Sequence, residues 1–275
     1  MAEAVQDSGL GKVKYVVAVA SGKGGVGKST TAVNLALALK DQGLEVGILD
    51  ADIYGPSLAK MLGVADERQP KVVNGNAFVP IEAHGLQSMS MAYLTTDATP
   101  MVWRGPMAGS ALVQMMTQTL WGALDVLIVD MPPGTGDIQL TLSQKAQVSG
   151  AVIVTTPQDI ALLDARKGIE MFRKVSIPVL GVVENMGLHI CSSCGHTESI
   201  FGEGGGESIA EEYQTTLLGS LPLDKRIRED GDNGIPIFAA DPEGSIASHY
   251  RQIASGLMAA LAETSVAAPI ISIED

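Results

Sequence analysis

The sequence predicts an α/β protein of three layers, a mostly parallel β-sheet flanked by helices, and three observations carry that prediction. Short valine-rich apolar runs recur along the chain, as strands buried on both faces require. Stretches with apolar residues at helical spacing alternate with them, which is the pattern of a parallel sheet. Several of the runs end in polar side chains, Asp50, Asp130 and Asn185 among them, at the strand edge where open α/β sheets bind ligands.

The first run, Tyr15 to Ala20, leads into Gly22-Lys23-Gly24-Gly25-Val26-Gly27-Lys28-Ser29. Glycines let successive backbone N–H groups curl around a phosphate, a lysine reaches the terminal phosphates, and a hydroxyl takes magnesium. Gly22, Gly27, Lys28 and Ser29 meet those needs, and Gly24, Gly25, Val26 and Thr30 complete the expected nucleotide-binding stretch. From Ser29 to Gln42 apolar residues recur at helical spacing, and Gly43 stands where a helix stops. Strand, glycine loop and helix start in this order aim the helix's positive end at phosphate. This is the P-loop NTPase type of three-layer fold. Lys23 is surplus to one nucleotide in one chain, so it predicts a homodimer in which it meets a phosphate held by the partner.

The second strand, Val46 to Leu49, ends in Asp50-Ala51-Asp52. Asp50 is expected to fix local structure or magnesium-bound waters, and Asp52 to orient the water that attacks the γ-phosphate. Between Lys71 and Tyr93 short β-prone pieces, with a turn at Asn74-Gly75, read as an excursion at the sheet edge. Met101 to Pro106 reads either as a functional loop or, more plainly, as an exposed aromatic anchoring a helix start at Pro106, and Met107, Met115 and Met116 read as core filler on that helix. Val126 to Val129 is a buried strand that places Asp130 on the magnesium side of the site. The loop from Met131 to Asp137 can respond to the γ-phosphate. Three more strands follow, Ala151 to Thr155 with a helix from Asp159 to Lys174, Val179 to Val183 leading into Glu184-Asn185-Met186, and Leu217 to Leu221 leading into Pro222-Leu223-Asp224. Asn185 suits an adenine edge, and Pro222 and Asp224 join it as candidate nucleotide contacts. A last helix is expected from about Pro242 to Ala262.

At 275 residues, 46% of them hydrophobic, and a mean hydropathy of +0.22, the chain can bury a large core. One domain over residues 14–262 is expected, after a disordered lead (1–13) and before a flexible tail (263–275). A net charge of −13, from 18 basic and 31 acidic residues, disfavours nucleic acid as a partner. No apolar stretch suits a bilayer, the first residues lack a signal peptide's basic and apolar parts, and the tail lacks the basic residues of a membrane-binding helix. A cytoplasmic protein with no membrane partner is expected.

The two cysteines form Cys191-Ser192-Ser193-Cys194. A redox dithiol, a zinc site recruiting His189 and His196, an iron–sulfur site and no function all compete for the pair. A 4Fe-4S cluster wants four thiolates, half of which one chain supplies. Two chains about a two-fold axis hold the full set, the same oligomer that Lys23 predicts.

Together the glycine loop, Asp50 to Ser57, Met101 to Pro106, Asp130 to Asp137, Asn185-Met186 and the cysteine pair resemble the Mrp/ApbC branch of the MinD-like P-loop ATPases. The resemblance covers about Lys14 to Ala262. It implies an ATP-hydrolysing homodimer that uses Mg²⁺, takes a 4Fe-4S cluster from an assembly scaffold and hands it to apo iron–sulfur proteins. By the same resemblance Lys23 reaches the partner's nucleotide, Lys28 binds the β- and γ-phosphates and Ser29 binds magnesium. Asp52 aligns the attacking water, Asp130 supports the metal, Asn185 reads adenine, and Cys191 and Cys194 hold the cluster. The alternatives are a MinD- or ParA-like positioning ATPase and a zinc-stabilised nucleotide switch.

Overall fold

Val13–Ala20 forms β1, whose last five residues are buried, because valine and alanine covered on both faces suit a central parallel strand. The computed structural model describes residues 9–65, 68–94, 105–134, 136, 148–191 and 193–266. Expectations for residues 1–8, for Met101 to Arg104, for Thr135 and Asp137, and for 267–275 lie outside them. After the glycine loop come α1 (Lys28–Asp41), β2 (Val46–Asp50) and the single turn α2 (Leu58–Met61). The hairpin β3 (Val72–Val73) and β4 (Ala77–Phe78) forms a small sheet of its own, and Asn74 and Gly75 turn it with φ of 53° and 86°.

β5 (Ile81–Ala83) and β6 (Leu86–Ser90) correct the expected edge excursion. β6 pairs in parallel with β2 inside the main sheet, and only β5, antiparallel to β6, forms its edge. α3 (Gly105–Gln118) buries Met115 and Met116 as expected, but Met107 is exposed and fills no core. β7 (Leu124–Asp130) and β8 (Gly150–Thr155) then flank β1 on either side.

α4 (Asp159–Lys174) leads to β9 (Val179–Ile190), far longer than the run that marked it, and to the short β10 (Thr197–Glu198). α5 (Gly205–Tyr213), β11 (Leu217–Leu223), α6 (Lys225–Asp232), α7 (Ile237–Ala240) and α8 (Ser245–Val266) complete the chain. α8 begins after Pro242 and runs past Ala262, into the segment expected to be a tail.

The main sheet has the order β10-β9-β8-β1-β7-β2-β6-β5, with β11 also on β9. All its pairings are parallel except those of the outer strands β10 and β5. Buried apolar residues form one cluster running from Val16 to Leu261. α8 lies on α1, where Arg251 Nε donates to Asp41 Oδ2 at 2.8 Å and Gln42 Nε2 to Ser255 Oγ at 3.0 Å. The switch point of the sheet is β1, and the glycine loop hangs from its C-terminal end, which sets the site.

Candidate nucleotide site and cysteine hairpin

Two glycines give the loop its path. Gly27, with φ of 83°, caps α1 without any side-chain cap, and no acid stands in the first turn, so the helix start presents its positive end to an anion. A Cβ on Gly22 would lie 2.0 Å from the Asp164 carbonyl oxygen, so the loop rests directly on the α4 backbone. Ser21 Oγ donates to the Lys23 carbonyl at 2.9 Å. Lys23 is half-buried and makes no ion pair among the described residues.

Behind the loop sit the acids. Lys28, buried, pairs with Asp130 Oδ1 and donates to Ser29 Oγ at 3.1 Å. A terminal phosphate must therefore compete with Asp130 for Lys28 Nζ. Asp50 is fully buried and accepts from the N–H groups of Asp52, Ser57 and Leu58 and from the Ser90 hydroxyl, each at 3.1 Å. Burial, then the charge of Asp130, lifts its carboxyl to about 7. It anchors the segment that carries Asp52, as expected of a structural acid. Burial also raises the Asp52 pKa, against the pull of Lys28, which makes its carboxylate a better proton acceptor.

A cavity of about 570 Å³ opens over the loop. Lys23, Gly24, Gly25, Gly27, Lys28, Ser29, Thr30 and Asp52 line one end, and Asn185, Pro222 and Asp224 the other. Gly22 and Val26 shape the loop without lining the cavity, and Asp130 acts from behind through Lys28. Asn185 is turned onto the loop: its Nδ2 donates to the Val26 carbonyl at 2.8 Å, and its Oδ1 accepts from the Met186 N–H at 3.0 Å. One amide N–H and one lone pair are left for a base. Asp224 caps α6 through the Arg226 N–H at 2.8 Å and pairs with the Arg226 guanidinium, which lowers its pKa. The cavity wall made by α2 and α6, where Lys60, Met61, Ile227 and Arg228 stand, carries no mark in the sequence. α6 is dominated by charged residues, so its apolar periodicity gives little signal.

The acids suit a magnesium nucleotide. Asp130 Oδ2 is buried without a hydrogen-bond partner among the described residues, an orphan that a metal-bound water would satisfy. Ser29, Asp52 and Asp130 are the residues that would hold the ion, which would draw charge from the phosphates.

Cys191 and Cys194 lie outside this cavity, on the turn of a hairpin, not in an irregular loop. Ile190 pairs with Thr197 and His189 with Glu198, while the Gly195 N–H bonds the Cys191 carbonyl and the Cys191 N–H the His196 carbonyl, both at 2.8 Å. Cys194 is exposed and Cys191 partly so. The N–H groups of Ser193 and Cys194, then the Cys194 side chain, lower the Cys191 pKa and favour its thiolate. His189 Nδ1 faces Glu198 at 3.4 Å. No group of three or more metal-ligating side chains converges among the described residues, so no closed zinc site of cysteines and histidines is assembled there. No helix among them is long and apolar enough to cross a membrane.

Known proteins are similar to this chain. An iron-sulfur cluster carrier protein of Pseudomonas fragi is 66% identical over 249 residues, covering 90% of this chain and 87% of that protein. Another of that name, from Escherichia coli K12, is 60% identical over 253 residues, covering 92% of this chain and 68% of its own length. A nucleotide-binding protein of Archaeoglobus fulgidus, solved with ADP, superposes with a TM-score of 0.72 at 36% identity, over 82% of this chain and 88% of that one. The family profile ParA, described as NUBPL iron-transfer P-loop NTPase, matches residues 12–258. By this match over most of its length, the chain belongs to the NUBPL iron-transfer P-loop NTPase family.

Proposed function

We propose that the chain is an ATP-hydrolysing carrier of iron–sulfur clusters, which holds a 4Fe-4S cluster between the cysteine pairs of two copies and passes it to apoproteins in the cytoplasm. One observation carries the reading: β9 runs unbroken from the strand end beside the phosphate loop to Ile190, next to Cys191. The names of the relatives support the cargo. The thiolate-favouring turn supports metal ligation, and two thiols per chain support a shared cluster.

In this reading Gly24 to Thr30 cradle the phosphates and Lys28 shifts from Asp130 toward the γ-phosphate. Asp52 orients a water and takes its proton as the water's oxygen bonds to phosphorus and ADP leaves. Lys23 reaches the nucleotide of the partner subunit. An assembly scaffold donates the cluster, and nucleotide state biases the dimer between holding and releasing it, since a ligand shifts only states it binds differently.

Anaerobic reconstitution with iron and sulfide tests the proposal. The wild-type chain should gain four irons and four sulfides per dimer, with the absorption and Mössbauer spectrum of a 4Fe-4S cluster and the mass of a dimer. The double variant Cys191→Ala, Cys194→Ala should gain none and still bind ATP. Iron and sulfide undiminished in that variant would overturn the cargo assignment, and stoichiometric zinc without iron uptake would favour a zinc-stabilised switch.

A further inference from the structure

The pairing of β9, the strand joining the phosphate loop to the cysteines, shifts register at several places, most of all beside the phosphate loop. β9 pairs with β11 at Glu184 with Ser220 and next at Leu188 with Pro222, so β9 spends more residues than β11 over the same stretch. The excess is a bulge across Asn185, Met186 and Gly187. Met186 takes φ of 60° there, in the left-handed region that side chains other than glycine avoid. Bulges of this kind re-aim side chains beside functional sites, and this one turns Asn185 onto the Val26 carbonyl.

Behind the bulge stands Glu184, a buried carboxylate with no ion pair among the described residues. Its Oε2 accepts from the Gly206 N–H at 2.7 Å, in the first turn of α5, and its Oε1 from the Ser220 hydroxyl at 3.2 Å. A Cβ on Gly187 would lie 2.7 Å from Glu184 Oε1 and 2.4 Å from Ser220 Oγ. The carboxylate thus clamps β9, β11 and α5 together against the bulge. It does not line the nucleotide cavity, so it acts only through its neighbours. On the other side, a Cβ on Gly27 would lie 2.1 Å from Asn185 Nδ2, so any turn of the Val26-Gly27 peptide around a phosphate presses on Asn185. Past the bulge, β9 leads through His189 and Ile190 straight into the cysteine turn.

We infer that Glu184 is a positioning residue: it holds the Asn185 to Gly187 bulge in register, so that occupancy of the phosphate loop is transmitted along β9 to Cys191 and Cys194. This rests on the nucleotide and cysteine roles proposed above.

The test measures how fast iodoacetamide alkylates each cysteine in the full reduced chain, read by mass spectrometry, with and without magnesium and a non-hydrolysable ATP analogue. Calorimetry reports analogue affinity in parallel. In the wild type the analogue should change the alkylation rate by about fivefold or more. Alkylating both cysteines should in turn change analogue affinity, by a factor that the alkylation rates do not fix. Glu184→Gln, which exchanges one acceptor oxygen for an amide, should bring both ratios close to unity while the unalkylated protein still binds the analogue. Ser220→Ala, a milder change that leaves the carboxylate in place, should reduce the ratios part of the way. A merely structural role for Glu184 would change melting temperature and leave the ratios alone. Equal alkylation rates in wild type that binds the analogue, or full ratios in both variants, would overturn the inference and leave the carrier assignment standing. Wild type that binds no analogue would overturn both. Intact coupling in a protein that takes up no iron would support the inference and sink the cargo.

Discussion

Asp52 and Asp50 stand two residues apart, and burial makes them different acids. Asp52 lines the cavity with its pKa raised by partial burial, so it can take a proton from water. Asp52→Asn should cut ATP turnover by roughly a hundredfold or more with nucleotide affinity retained; steady-state hydrolysis beside calorimetry checks this. Asp50 is sealed from the cavity, with its carboxyl lifted from 3.8 to about 7. The folded chain therefore keeps a proton that the unfolded chain releases above about pH 4, so this group's contribution to stability falls as pH rises from about 4 to about 7. Below that window both states are protonated, and above it both are ionised. Asp50→Asn holds no such proton. Melting curves should therefore show the wild type losing stability relative to the variant between about pH 4 and about pH 7, and a constant difference would refute the assignment.

At the scale of elements, the contact between the loop and α4 is made of backbone. Gly22→Ala would put a methyl group 2.0 Å from the Asp164 carbonyl oxygen, so loop or helix must shift. The variant should lose about 1–3 kcal/mol, read from urea midpoints, and should bind nucleotide more weakly because the loop no longer starts in place. Elements with one clear hydrophobic period were legible in the sequence: β1, β7 and the bounds of α4 all stand where their apolar spacing puts them. β6 was not, because Gln87, Ser88 and Ser90 make it read as polar. Its serines are buried yet satisfied, Ser88 Oγ by the Ile81 carbonyl at 2.7 Å and Ser90 Oγ by Asp50. The far half of β9 was hidden for the same reason. Glu184 and Asn185 are buried polar side chains whose partners lie on other elements, which no local pattern reveals. The loop residues and cysteines were legible because their chemistry depends on spacing along the chain. Packing such as the Asn185 contact with Val26 depends on residues far apart in it.

For the whole molecule, Lys23 is the half-buried cation of the loop that no described residue pairs with. Lys23→Ala should weaken nucleotide-dependent dimerisation while one chain still binds ATP, as light scattering with and without nucleotide would report. A net charge of −13 sets a second expectation, that the protein does not cosediment with DNA at any salt concentration; salt-sensitive cosedimentation would instead speak for a positioning ATPase. The order of strands has one more consequence, for synthesis. β1 lies between β7 and β8, so a ribosome extrudes the phosphate loop long before either neighbouring strand has been translated. The cysteine hairpin emerges only after both are made, and the nascent chain can close the middle of its sheet before it exposes a thiol to metal.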